Sequence, residues 1–163
     1  MPFLDLAYQG FGDGIDADAH APRLFAGAMS PIFLSSSFSK SLSLYGERIG
    51  AFSLVAASAD EAARALSQVK RVVRTNYSNP PTHGGDIVAR VLNTPELRAL
   101  WEKELGGMRE RIKAMRKALA DGVQKRSGTD FSFVLKQRGL FSYTGLTQAQ
   151  VERLRTQYSI YAI

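Results

Sequence analysis

The stretch Pro31-Ile32-Phe33-Leu34-Ser35-Ser36-Ser37-Phe38-Ser39-Lys40-Ser41-Leu42-Ser43-Leu44-Tyr45-Gly46-Glu47-Arg48-Ile49-Gly50 decides how this chain is read. It opens in an apolar strand candidate, Pro31 to Ser35, and runs into a second, Ile49 to Ala56. Between them hydroxyl side chains frame a single lysine, Lys40, and Arg48 follows it. Lysine amines form Schiff bases with carbonyl compounds, and a guanidinium matches phosphate oxygens in pairs. The block therefore suits an aldehyde that bears a phosphate, with Lys40 on the aldehyde and Ser37 and Arg48 on the phosphate. Most lysines are exposed, so on the block alone a solvated loop residue is the commoner reading, and the rest of the chain must decide.

Working outward, Phe3 to Ala7 is another short apolar strand candidate, and helices are implied between and after the strands, which gives an α/β alternation. Ser58 with Glu61 forms a capping box that opens a helix on toward Val73, with Asp60 and Glu61 placed to complement its dipole. Thr94-Pro95 reads as an N-cap followed by proline at the first helical position, opening the longest helix. Leu97, Trp101, Leu105, Met108, Ile112, Met115 and Leu119 recur at steps of four or three along it. Such a stripe is core packing rather than a cofactor box. Gly106-Gly107 interrupts it, and since each glycine costs a helix interior about 1 kcal/mol relative to alanine, a bend or junction is expected there. Beyond it, Asp130 to Gln137 and Leu140 to Tyr143 read as strands, Thr147 and Gln150 form a second capping box before a helix from Val151 to Gln157, and Tyr158 to Ile163 reads as a last strand candidate.

Composition narrows the chemistry without naming it. There is no cysteine, so disulfides and thiolate metal sites are excluded, and His20 and His83 alone offer little for an imidazole-rich zinc site. No apolar run approaches the roughly twenty residues of a membrane span and no signal peptide is recognisable, so no membrane role and a cytoplasmic location are the expectation. The net charge of +6 raises nucleic acid as a partner, and Arg109, Lys113 and Lys117 would share one helical face. Without stacking aromatics between them, a solvated face and no nucleic-acid partner are expected.

Four blocks together are more specific: Pro2 to Gly12, the lysine block, Arg74-Thr75-Asn76-Tyr77-Ser78-Asn79-Pro80-Pro81-Thr82-His83-Gly84, and Gln137 to Leu146. In order and spacing they resemble the class I aminotransferases of the aspartate and aromatic amino-acid type, which use pyridoxal phosphate. Gly12 and Phe141-Ser142-Tyr143-Thr144-Gly145-Leu146 resemble the bacterial aromatic branch more than the strict aspartate branch. The resemblance implies a fold-type-I α/β architecture, with residues 1–107 as the C-terminal part of the large cofactor domain and 108–163 as part of the small domain. It also implies an internal fragment, inactive alone, that lacks the phosphate loop, the ring-stacking aromatic and the α-carboxylate arginine.

By the same resemblance Lys40 would form the Schiff base with pyridoxal phosphate and move the proton at the substrate Cα. Asp5 would keep the pyridine nitrogen protonated, and Tyr8 would bond the ring's phenolic oxygen. Ser37 and Arg48 would bind the phosphate, and Phe141 would line the substrate pocket. Arg74 would pair with the distal carboxylate of acidic substrates in the neighbouring subunit, which implies a homodimer acting on amino acids and 2-oxo acids. A decarboxylase or lyase would use Lys40 and Asp5 equally well, since fold does not fix function, and a non-catalytic basic binding module is the remaining alternative.

Overall fold

The computed structural model describes residues 1–162; Ile163 lies outside the described residues. Strands β1 (Phe3–Leu6), β2 (Ile32–Ser37) and β3 (Gly50–Val55) form one sheet in the order β1-β2-β3. β1 and β2 are parallel, and a parallel pair needs a crossover; helices α1 (Ile15–Asp18) and α2 (His20–Ala28) lie in that connection. β2 and β3 are antiparallel, and the loop between them is the lysine block.

Register places Asp5 beside Ser35 and Ser35 beside Phe52. Because side chains alternate across a sheet, Phe3, Asp5, Phe33, Ser35, Ser37 and Phe52 share one face. The three phenylalanines cluster at one end of it, with Phe33 and Phe52 stacked at 5.7 Å between centroids, and the polar residues occupy the other end. The opposite face buries Ile32, and α2 packs against β2.

Helices α3 (Ala59–Asn76), α4 (Thr82–Asn93), α5 (Pro95–Ser127) and α6 (Gln148–Tyr158) complete the chain. Ser58 Oγ accepts from the Glu61 amide at 3.2 Å, but the Glu61 carboxylate reaches the Ala57 amide instead of Ser58, so half of the expected box forms. The Thr147–Gln150 box is complete. Thr94 stands at the N-cap of α5 without a side-chain cap bond. α4 packs on α5 and approaches the lysine loop so closely that a Cβ on Gly84 would lie 2.9 Å from Glu47 Cβ.

Four expectations need correction. α5 runs unbroken through Gly106-Gly107: the contacts that flank the pair, with Leu105 buried, Trp101 bonded to the lysine loop and Arg109 to Gly10, offset the low helical propensity of glycine. Asp130 to Gln137 is not a strand but holds a 3-10 turn over Ser132–Lys136. The Asp130 carboxylate accepts from the Ser132 amide at 2.8 Å and so starts a tight turn, and that bond holds the Asp130 carboxyl below its usual range. Leu140 to Tyr143 is irregular, because side chains rather than a neighbouring strand take its main-chain groups. Of Tyr158 to Ile163, Tyr158 ends α6, residues 159–162 form no strand, and Ile163 is outside the described residues.

The apolar stripe on α5 packs unevenly. Leu105 is 1% exposed, whereas Met108, Met115 and Leu119 line an open cavity of about 470 Å³ with Phe11 and Leu140. On the basic face, Arg109 donates to Gly10 O, Lys113 meets Asp13 at 3.5 Å and Lys117 pairs with Asp121 at 2.7 Å, so these cations are engaged within the chain. No described helix is long and apolar enough to cross a membrane.

Candidate active site

Asp5 comes near the end of β1 and Ser37 at the end of β2, which brings the two chain segments to one edge of the sheet. Asp5 Oδ1 accepts from Ser35 Oγ at 3.1 Å, and its second oxygen has no bond among the described residues. Ser37 Oγ accepts from the Ser39 amide at 3.2 Å, which fixes the turn into Lys40. The Phe38 amide reaches Ile49 O at 3.2 Å and closes the base of the lysine loop. Trp101 Nε1 donates to Ser41 O at 2.6 Å, so α5 holds the loop beside the lysine.

At the far end of that loop Arg48 has φ of 52°, a left-handed conformation that costs a non-glycine residue about 1–2 kcal/mol. Its Nη1 donates to Tyr45 O at 2.9 Å, and its remaining guanidinium nitrogens have no bond among the described residues. Asp5, Ser35, Ser37, Ser39, Arg48 and Gly50 line an open cavity of about 330 Å³. One end thus offers hydroxyls and a cation, a pairing suited to an anion, and a carboxylate also faces the cavity.

Tyr8 follows β1 on a loop that is tied down at several points. The Asp18 carboxylate accepts from the amides of Gly10 (2.8 Å), Gly12 (2.9 Å) and Asp13 (2.8 Å), and Arg109 donates to Gly10 O at 3.0 Å. Gly10 has φ of +96°, and a Cβ there would strike Leu105, so glycine is required. Lys40 Nζ stands over the Tyr8 ring, 4.8 Å from its centroid. Phe141 meets the same ring edge-on, at 5.1 Å and 81°.

The sequence candidates therefore fall into three places. Asp5, Ser37 and Arg48 share the cavity; Lys40, Tyr8 and Phe141 form a contiguous chain alongside it, joined to it through Ser39; Arg74 stands apart near the end of α3, exposed, with Nη1 bonded to Ser78 Oγ. Sequence reasoning missed Asp18, Ser35 and Arg116, which hold these residues in place. Arg116 shares the α5 face of Leu105, Ile112 and Ala120, but so do the exposed Arg98 and the half-buried Arg109, so spacing alone does not single it out.

Residues 1–163 match the family model described as "Aminotransferase class I and II". The chain belongs to that family. It is 64% identical to an aspartate aminotransferase of Pseudomonas aeruginosa and 49% identical to an aromatic-amino-acid aminotransferase of Escherichia coli K12, covering 100% of itself and 41% of each relative. Among solved structures it is similar to an aromatic-amino-acid aminotransferase from Burkholderia pseudomallei covalently bound to pyridoxal phosphate, with a TM-score of 0.95 at 64% identity over 99% of this chain and 41% of that one. A psychrophilic aromatic amino-acid aminotransferase from Psychrobacter sp. B6, cocrystallised with aspartic acid, matches at a TM-score of 0.96 and 48% identity over 100% and 41%. The chain thus adopts part of the fold-type-I architecture and spans about 41% of the length of the relatives it matches. Aspartate and aromatic names both occur at 64% identity, so the match does not separate the two branches.

Proposed function

We propose that this chain supplies the lysine-bearing part of a pyridoxal-phosphate aminotransferase that moves the amino group between aromatic or acidic amino acids and 2-oxo acids such as 2-oxoglutarate. The observation that carries the reading is the grouping of Asp5, Ser37 and Arg48 around one cavity, with Lys40 held over Tyr8 beside it. These residues fit the cofactor's chemistry. The unengaged guanidinium nitrogens of Arg48 and the Ser37 hydroxyl suit the phosphate, the free oxygen of Asp5 suits a protonated ring nitrogen, and Lys40 offers an amine for covalent attachment.

When bound, pyridoxal phosphate supplies a ring that accepts the electron pair left at the substrate Cα. The remaining work falls to the protein. Lys40 would hold the cofactor through its amine and would take and return the proton at the substrate Cα. Asp5 keeps a proton on the pyridine nitrogen through its charge. Tyr8 gives a hydrogen bond to the ring oxygen, and Phe141 borders the substrate.

Arg74 is not near the cavity contacts of its own chain, which agrees with its serving the site of a second subunit in a homodimer. There its guanidinium pairs with the side-chain carboxylate of an acidic substrate. Arg74 argues against a decarboxylase or lyase whose substrate carries no second carboxylate. The domain division at 107/108 falls within α5, which then acts as the rod between a large and a small domain. A cytoplasmic site of action completes the reading.

The direct test is a half-reaction on a full-length protein that contains this chain, loaded with pyridoxal phosphate and mixed with tyrosine or aspartate without any oxo acid. Transamination yields one oxo acid per site and leaves the cofactor as its amine. Release of carbon dioxide or free ammonia instead would contradict it.

A further inference from the structure

Arg116 lies midway along α5 with 7% of its surface exposed, and no carboxylate pairs with it among the described residues. A buried charge is costly unless fully hydrogen-bonded. Here Nε donates to Ser142 Oγ at 2.8 Å, Nη1 to Gln137 O at 3.0 Å, and Nη2 to Phe141 O at 2.7 Å and to Gly139 O. Three alternate carbonyls are gathered by one planar group whose donors have fixed spacing. From the other side Gln137 accepts from the Tyr143 amide at 2.7 Å and donates to Tyr143 O at 2.8 Å. Two side chains therefore shape the segment 137–143 where the sequence suggested a strand.

The consequence reaches Lys40. Phe141 is 64% exposed, so packing around its own ring does little to hold it, and its place is set by its backbone. That ring is the edge-on neighbour of Tyr8, which in turn lies under the lysine amine. We propose that Arg116 is a positioning residue for the site, fixing the 137–142 loop so that Phe141 supports Tyr8 beneath Lys40. Its bearing on catalysis rests on the function proposed above; its bearing on Phe141 and Tyr8 does not. Lysine cannot replace it fully, because an ammonium presents its donors from one point and cannot span carbonyls of alternate residues.

The experiment uses a full-length protein that contains this chain, with Arg116→Met, Arg116→Lys and Phe141→Ala made singly and Arg116→Met combined with Phe141→Ala. In the cofactor-free protein, the Tyr8 ring protons carry a ring-current shift from Phe141. Arg116→Met should abolish that shift as Phe141→Ala does, and Arg116→Lys should keep about half of it. In the loaded protein, Arg116→Met should alter the visible circular dichroism of the bound cofactor and lower kcat about tenfold, but less than about twofold further once Phe141 is already alanine. A variant that merely lowers Tm, with the Tyr8 shift and the dichroism unchanged, overturns the proposal. If Arg116→Met does not fold, a full parental shift in Arg116→Lys overturns it as well. If the parent takes up no pyridoxal phosphate at all, the functional reading fails, and the Tyr8 shift alone decides the role of Arg116.

Discussion

Lys40 Nζ sits 4.8 Å above the centre of the Tyr8 ring, so the residue that would hold the cofactor rests on the residue that would bond its ring oxygen. A cation over an aromatic face is worth roughly 0.5–1 kcal/mol at an exposed site and about 2 kcal/mol when desolvated. On the proposed function Tyr8 would have two separable roles, one in its ring and one in its hydroxyl.

Tyr8→Phe keeps the ring beneath Lys40 and the edge contact with Phe141 but removes the hydroxyl; Tyr8→Leu removes all three. In a full-length protein kcat/KM should fall about tenfold for Tyr8→Phe, the cost of one hydrogen bond to a charged group at about 1.4 kcal/mol, and clearly further for Tyr8→Leu. Steady-state kinetics of both variants decide it. Equal losses would mean that the ring contacts contribute nothing.

Arg48→Gln should weaken pyridoxal phosphate binding while leaving the fold intact, because the exposed guanidinium makes one protein bond, to Tyr45 O. A lost charge-assisted hydrogen bond is worth about 1.5–3 kcal/mol, hence a rise in Kd of roughly tenfold to a hundredfold. Titration of the cofactor-free protein measures it. An unchanged Kd would remove Arg48 from the phosphate site.

Asp18→Ala should destabilise the protein more than a typical surface change, since one carboxylate serves the amides of Gly10, Gly12 and Asp13. At about 1 kcal/mol or more for each bond, urea unfolding should show a loss of about 3 kcal/mol. A change within about 0.5 kcal/mol, the usual range for surface substitutions, would show that the Tyr8 loop holds its shape without it.

Arg74→Leu should separate substrates. Losing one partner of a buried charge pair costs about 2–5 kcal/mol, so kcat/KM for aspartate should drop a hundredfold or more, at about 1.4 kcal/mol per factor of ten. Phenylalanine should change far less. Parallel losses for both would assign Arg74 to the fold or the dimer.

Much of this was legible in the sequence where local rules govern. The three strands came from short apolar runs, and the box at Thr147 and Gln150 from a side chain that caps its own helix. The grouping of Asp5, Ser37 and Arg48 came through motif resemblance, and the shared sheet edge supplies its physical reason. What failed depended on distant partners. Leu140 to Tyr143 has the apolar content of a strand, yet its Phe141 carbonyl is taken by Arg116, more than twenty positions away in the sequence, and its Tyr143 carbonyl by the Gln137 side chain. Gly106-Gly107 suggested a bend by propensity, but Trp101 and Arg109, bonded to two separate loops, hold the helix through it.

The central claim is that Lys40 is the attachment residue, and borohydride reduction tests it most directly. A full-length protein containing this chain, loaded with pyridoxal phosphate, reduced and digested, should carry the pyridoxyl group on the peptide that contains Lys40, and Lys40→Ala should carry none and lose nearly all activity. A pyridoxyl group on a different lysine of the parent, or persistent labelling of Lys40→Ala, would contradict it.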